Sequence, residues 1–127
     1  MLARAAFATA VMSALIVTNI GPASAANHSM VLRNSAGTVV VKATWDDLTD
    51  NLCVITYAGY SGEVAISSYY GLSEPDRAIR SAGAYGGQGW VCTGNLSIRE
   101  DAYYNMQIRW ENSNRNLFFS GKEQFYT

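Results

Sequence analysis

Histidine is almost missing from this chain: among 127 residues only His28 carries an imidazole. A Ser-His-Asp or Cys-His relay needs an imidazole held against a nucleophile, so nucleophilic catalysis would rest on this one residue near the start of the working chain. Cysteine is limited to Cys53 and Cys92, and two thiols with one imidazole fall short of the four ligands of a structural zinc site. The chain has no run of Lys or Arg and no clustering of Arg with aromatic residues. That argues against nucleic acid or an anionic membrane as a partner. Gly83, Gly86, Gly87 and Gly89 lack the Lys-Ser or Lys-Thr that a phosphate-binding loop places after its glycines. No catalytic residue, no metal site and no cofactor is expected.

Long apolar runs are equally absent, except at the start. Arg4 is followed by an almost wholly apolar stretch over residues 5–20, then by the helix-breaking Gly21-Pro22 and the small residues Ala23-Ser24-Ala25. A positive start, a short apolar core and a small-x-small site together read as a cleavable secretory signal over residues 1–25. The apolar stretch is shorter than the roughly 20 residues that span a bilayer, and no basic cluster follows to stop transfer. The expectation is an exported protein, free of the membrane after cleavage. Residues 26–127 then form a single domain; with Arg4 removed, eight Lys and Arg stand against ten Asp and Glu, a net charge of −2.

Outside the cell an even cysteine count reads as a disulfide, so Cys53 and Cys92 are expected to pair. The ring of about 39 residues would stabilise by roughly 4 kcal/mol on the chain-entropy model.

What the mature chain does have is strand pattern. Val39, Val41, Ala43 and Trp45 share one face of a half-buried strand, and residues 52–58 read as a central strand buried on both faces. Residues 59–62 look like a tight hairpin leading into the alternation Val64, Ile66, Ser68, Tyr70. Periodicity then lapses over 72–89, which reads as a long loop with one helical turn at 73–77. Strand character returns at 90–92 and 96–99, with a bulge or kink at 93–95. Tyr104, Met106, Ile108 and Trp110 line one face of the most clearly amphipathic strand, and a last hairpin is expected from 117–119 and 124–126. The fold class is all-β: an antiparallel β-sandwich of about six to eight short strands with one disulfide, stapling the core beside Trp45, Trp90 or Trp110.

Binding groups are plentiful. Eight Tyr, three Trp and, after the leader, three Phe remain. The pairs Tyr69-Tyr70 and Tyr103-Tyr104 force one ring of each outward, while Tyr60 and Tyr85 fall in loops, where a rigid aromatic brings large area at small entropic cost. Met30-Val31-Leu32 forms an apolar segment in the N-terminal tail, suited to adding a strand to a partner's sheet or to serving as this domain's own first strand. Met30, Val31, Leu32, Tyr60 and Tyr85 are the candidate partner-binding residues. Asp46, Asp47, Asp50 and Asn51 cluster without the alternate spacing of a calcium loop and read as turn chemistry. Glu63, Glu74, Glu100 and Glu111 leave carboxylate-based glycan hydrolysis open.

Leu52-Cys53-Val54, six residues before Tyr60, with Gly62 and Val64 beyond, resembles small exported proteins of Streptomyces and related actinobacteria. The Asp-rich turn within 45–54, the cysteine strand at 90–92 and the acidic turn with Tyr-x-Met over 100–106 extend the likeness. It implies a non-enzymatic connector, similar to the adaptor subunits of umbrella-shaped antibacterial toxin particles, with an extracellular protein as partner. Inhibition of an extracellular hydrolase through the 72–89 loop is the alternative, and glycan hydrolysis a third. Expressed with its own leader, the protein should appear in the medium with Ala26 as its first residue; N-terminal sequencing checks this, and retention of residues 1–25 would refute the signal.

Overall fold

The computed structural model describes residues 27–68 and 80–127. The expected signal at 1–25, the outward tyrosines Tyr69 and Tyr70, Glu74 and the helical turn at 73–77 lie outside the described residues. Period-two alternation becomes nine strands among them: β1 (His28–Arg33), β2 (Val39–Asp46), β3 (Asn51–Thr56), β4 (Ser61–Ser68), β5 (Arg80–Tyr85), β6 (Val91–Asn95), β7 (Tyr103–Glu111), β8 (Leu117–Phe119) and β9 (Glu123–Tyr126). No described residue is helical, and no described helix is long and apolar enough to cross a membrane.

Two antiparallel sheets form, with strand orders β1-β2-β3-β6 and β5-β4-β7-β8, and β9 also paired to β7. Their inner faces meet in one core cluster that includes Val41, Ala43 and Trp45 of β2, Leu52 and Val54 of β3, Val64 and Ile66 of β4, and Met106 and Ile108 of β7. The alternation that marked β7, and β2 from Val41 onward, is therefore the inner face of each sheet; at the start of β2, where the pairing with β1 shifts register, Val40 and not Val39 enters the core. Tyr104, Trp110 and Phe125 complete that cluster. Burial of this apolar surface is the main force holding the sheets together.

The link between the sheets is where local pattern and structure part. Residues 59–62 do not close a hairpin, because β3 belongs to one sheet and β4 to the other. They form a corner fixed from outside itself: the Trp110 indole donates to the Ala58 carbonyl at 2.8 Å, and the Tyr60 amide donates to the Glu111 carbonyl at 2.9 Å. Gly59 has φ +85°, and a Cβ there would lie 2.5 Å from Trp110 Nε1. Gly62 is equally enclosed, with Thr56 Oγ1 2.4 Å from where its Cβ would be.

Other departures have equally local causes. Part of the 72–89 segment is not loop but β5, whose Ala82 and Ala84 turn inward while Ser81 and Gly83 face out. Such small residues carry too little hydrophobic contrast to register as a strand. Residues 96–99 are not a strand: Ser97 takes φ 48°, although Leu96 and Ile98 still pack on the core. β8 and β9 do not pair with each other; they lie in tandem against β7, at Arg109–Glu111 and Tyr103–Met106 respectively. The bulge expected at 93–95 is present, since three β6 residues from Cys92 to Asn95 advance against two on β3.

Cys53 and Cys92 are bonded, with Cα atoms 4.1 Å apart. They are cross-strand partners within one sheet, not a staple through the core. Leu52 and Val54 take the inner face of β3, so Cys53 must point outward, and Cys92 is exposed. The N-terminal tail is likewise part of the domain. His28 stacks on Phe125 with ring centroids 5.6 Å apart and contacts Glu123 Oε2 through Nε2 at 3.0 Å. Met30 enters the core and Leu32 packs against it, leaving only Val31 exposed.

Gly59→Ala should destabilise the fold by about 2 kcal/mol or more, since it adds both left-handed strain and a clash with Trp110. Urea unfolding monitored by tryptophan fluorescence measures the loss, and an unchanged midpoint would show that the corner is not held as described.

Candidate functional site

The register of the five-stranded sheet sets which side chains share its outer face. One row runs Tyr85, Ser61, Glu111, Leu117 and the next runs Gly83, Glu63, Arg109, Phe119. Between the β5 edge and Arg109 the face opens into a groove of about 260 Å³, lined by Tyr60, Ser61, Glu63, Gly83, Tyr85 and Arg109 among others.

Two of the residues picked from sequence meet here. The rings of Tyr60 and Tyr85 lie edge to face with centroids 5.5 Å apart. The corner places Tyr60, and the end of β5 places Tyr85; the Gly86 amide, donating to the Tyr60 carbonyl at 3.0 Å, ties the two together. Arg115 lays its guanidinium 3.6 Å from the Tyr60 ring centroid and bonds Glu111 through Nε. Glu63 and Arg109 pair across strands at 3.5 Å, and the Ser61 hydroxyl donates to Glu111 at 3.4 Å. Glu63 and Glu111, both weighed above for glycan hydrolysis, are thus each occupied by a guanidinium on an open face. The remaining candidates, Met30, Val31 and Leu32, belong to the other sheet.

At the far side of the same sheet β8 exposes three consecutive apolar side chains. Leu117 is 51%, Phe118 45% and Phe119 58% exposed. Phe118 packs at a tilt against Trp110, with ring centroids 5.4 Å apart, yet nearly half of it remains in solvent. Sequence pattern marks 117–119 as a strand but not as an unguarded edge; the signal was three large apolar residues with no charge or proline among them. Gly83, Arg109 and Arg115 were also missed, because isolated charges on a polar face and glycines in an aperiodic stretch look like ordinary surface.

The chain matches no known family model, no curated protein and no solved structure. Function must therefore be argued from these surfaces.

The Asp-rich turn does what its composition suggests. Asp46 Oδ1 accepts from the Leu48 amide at 3.1 Å, and Asp47 Oδ1 accepts from the Trp45 indole at 3.4 Å. Asp50 is different: it has φ 50°, is buried, and its Oδ1 finds no partner among the described residues. Its charge is the main reason the Glu100 carboxyl is pushed above the usual range, followed by burial and by Asp47 and Asp101. No three Asp, Glu, His or Cys side chains among the described residues converge to hold a metal.

A raised carboxyl makes the folded state bind more protons than the unfolded one, so its contribution is present below the unfolded pKa near 4.5 and is lost as pH rises through the folded value. Glu100→Gln should therefore raise the melting temperature at pH 7 and have little effect at pH 4. Thermal unfolding at the two pH values tests this, and equal shifts at both would show that Asp50 and Glu100 do not repel.

Proposed function

We propose that this protein is an exported, non-enzymatic binding and assembly module, an adaptor that joins an extracellular protein partner along β8. The observation that carries the reading is the exposed Leu117-Phe118-Phe119 edge. β8 pairs with β7 on one side and with no described strand on the other. Natural sheets blunt such edges with charge, proline or a cover, because free N–H and C=O groups beside apolar side chains recruit another strand. An edge left apolar suits strand addition, in which main-chain hydrogen bonds give affinity and the alternate side chains give specificity. Large aromatic groups near the centre of a contact also carry most of its energy.

Export is supported by the signal pattern at 1–25 and by a disulfide of the kind that persists in oxidising surroundings. The actinobacterial resemblance points the same way, toward a connector. The inhibitor alternative loses part of its basis, since residues 80–85 of the loop it required are a paired strand.

Leu117→Lys places a charge on the edge opposite Glu111, where the fold accommodates it. Tagged protein recovered from its native culture medium should bring down a stoichiometric partner protein, and Leu117→Lys should cut that recovery about tenfold or more with the melting temperature held. Equal recovery by the variant would overturn the β8 assignment.

A further inference from the structure

We propose that the groove beside Tyr85 is a binding site for a neutral carbohydrate, and that residue 83 is glycine for the sake of this ligand and not of the fold. The inference does not rest on the β8 reading.

Gly83 sits in the middle of β5, between the buried Ala82 and Ala84. Glycine weakens a strand interior, so its presence there calls for a bulge, a special backbone angle or a close approach. None of the first two applies. The β4–β5 register is unbroken from Ser61–Tyr85 to Ile66–Arg80, and Gly83 is not among the residues with positive φ. Nor does packing among the described residues demand it, because among these a Cβ at 83 would meet only the Gly62 carbonyl, at an ordinary 3.7 Å. A side chain would instead stand on the outer face beside Glu63 and fill the groove. Close approach of a ligand is the remaining reason.

The chemistry of the walls selects the class. Glu63 and Arg109, the charged side chains lining the groove, are paired with each other, so among the described residues its walls carry no net charge to attract an ion. That pair presents guanidinium N–H donors beside a carboxylate acceptor, and the Ser61 hydroxyl, which donates to Glu111, keeps its oxygen as an acceptor. A sugar ring needs such mixed partners for its hydroxyls, and an aromatic surface for its apolar C–H face. Tyr85, 59% exposed, supplies that surface with its ring braced by Tyr60. A groove of about 260 Å³ lies below the roughly 300–1,000 Å³ of enclosed drug-sized pockets. It fits one or two sugar units lying across an open face.

The test uses the mature disulfide-bonded protein and four soluble probes: cellotetraose, chitotetraose, mannotetraose and xylotetraose. Saturation-transfer NMR and calorimetry should show at least one binding in the millimolar range or tighter. Gly83→Val should lower that affinity at least tenfold while leaving the melting temperature unchanged or higher, since valine is a better strand former. Tyr85→Ala should weaken the same probe, and Leu117→Lys should leave it bound as before, which separates this site from β8. The proposal is overturned if none of the four binds at 10 mM, if Gly83→Val binds as the parent does, or if Gly83→Val lowers the melting temperature and so reveals a structural need for glycine.

Discussion

The Trp110 indole bonded to the Ala58 carbonyl is the contact on which the rest of the molecule depends. Where the chain leaves one sheet for the other, its backbone groups lose their ladder partners, and an unpaired buried amide or carbonyl costs about as much as a lost hydrogen bond. This corner satisfies them from three directions. Trp110 takes Ala58, the Glu111 carbonyl takes the Tyr60 amide, and the Thr56 carbonyl takes the Gly87 amide. The Thr56 hydroxyl adds a bond to the Ala84 carbonyl at 3.0 Å. The ends of β3, β5 and β7 and the start of β4 are thereby fixed at one point, and Tyr60 and Tyr85 inherit their positions from it.

Strand identity was legible wherever one face of a strand is wet and the other dry. Val41, Ala43 and Trp45, like Tyr104, Met106, Ile108 and Trp110, announce their inner faces through a large contrast in hydrophobicity. Pairing was less legible. The tetrapeptide Gly59-Tyr60-Ser61-Gly62 has the composition of a hairpin turn, and what makes it a corner is a tryptophan about fifty residues further on. A local pattern cannot report a partner so distant in sequence. The disulfide shows the same division: cysteine count and compartment predict the bond, but the face it occupies follows from the register of β3 against β6.

The site was legible in part for a related reason. Tyr60 and Tyr85 stand out because rings in turn-rich segments have no core to enter, and the structure does bring them together. Met30 and Leu32 looked similar in sequence, but apolar residues at i and i+2 in a strand are read the same way whether the dry surface belongs to the domain or to a partner. Here it belongs to the domain. Arg109 and Arg115 gave no signal, and Glu63 stood out only as one carboxylate among several, since a charge on a strand's outer face is ordinary until its register neighbours are known. Asp50 is the converse case. Its charge sits among other turn acids in sequence, yet only the fold shows that it is buried and close enough to act on the Glu100 carboxyl.

The two sheets differ in what they contribute. The five-stranded sheet carries the features that weaken a fold: a glycine in a strand interior, worth roughly 0.5–1 kcal/mol against alanine, and an apolar edge in solvent. The four-stranded sheet carries the disulfide, whose 39-residue ring offsets about 4 kcal/mol of unfolded-state entropy. Because that bond lies on the outer face of its sheet, it stabilises the domain without occupying core volume. Proteins that sit near a stability threshold can keep destabilising surface features only where something else compensates. In this chain the compensation is placed on the opposite side of the sandwich from the features it offsets: the four-stranded sheet holds the bond, while the five-stranded sheet holds the interior glycine and the apolar edge.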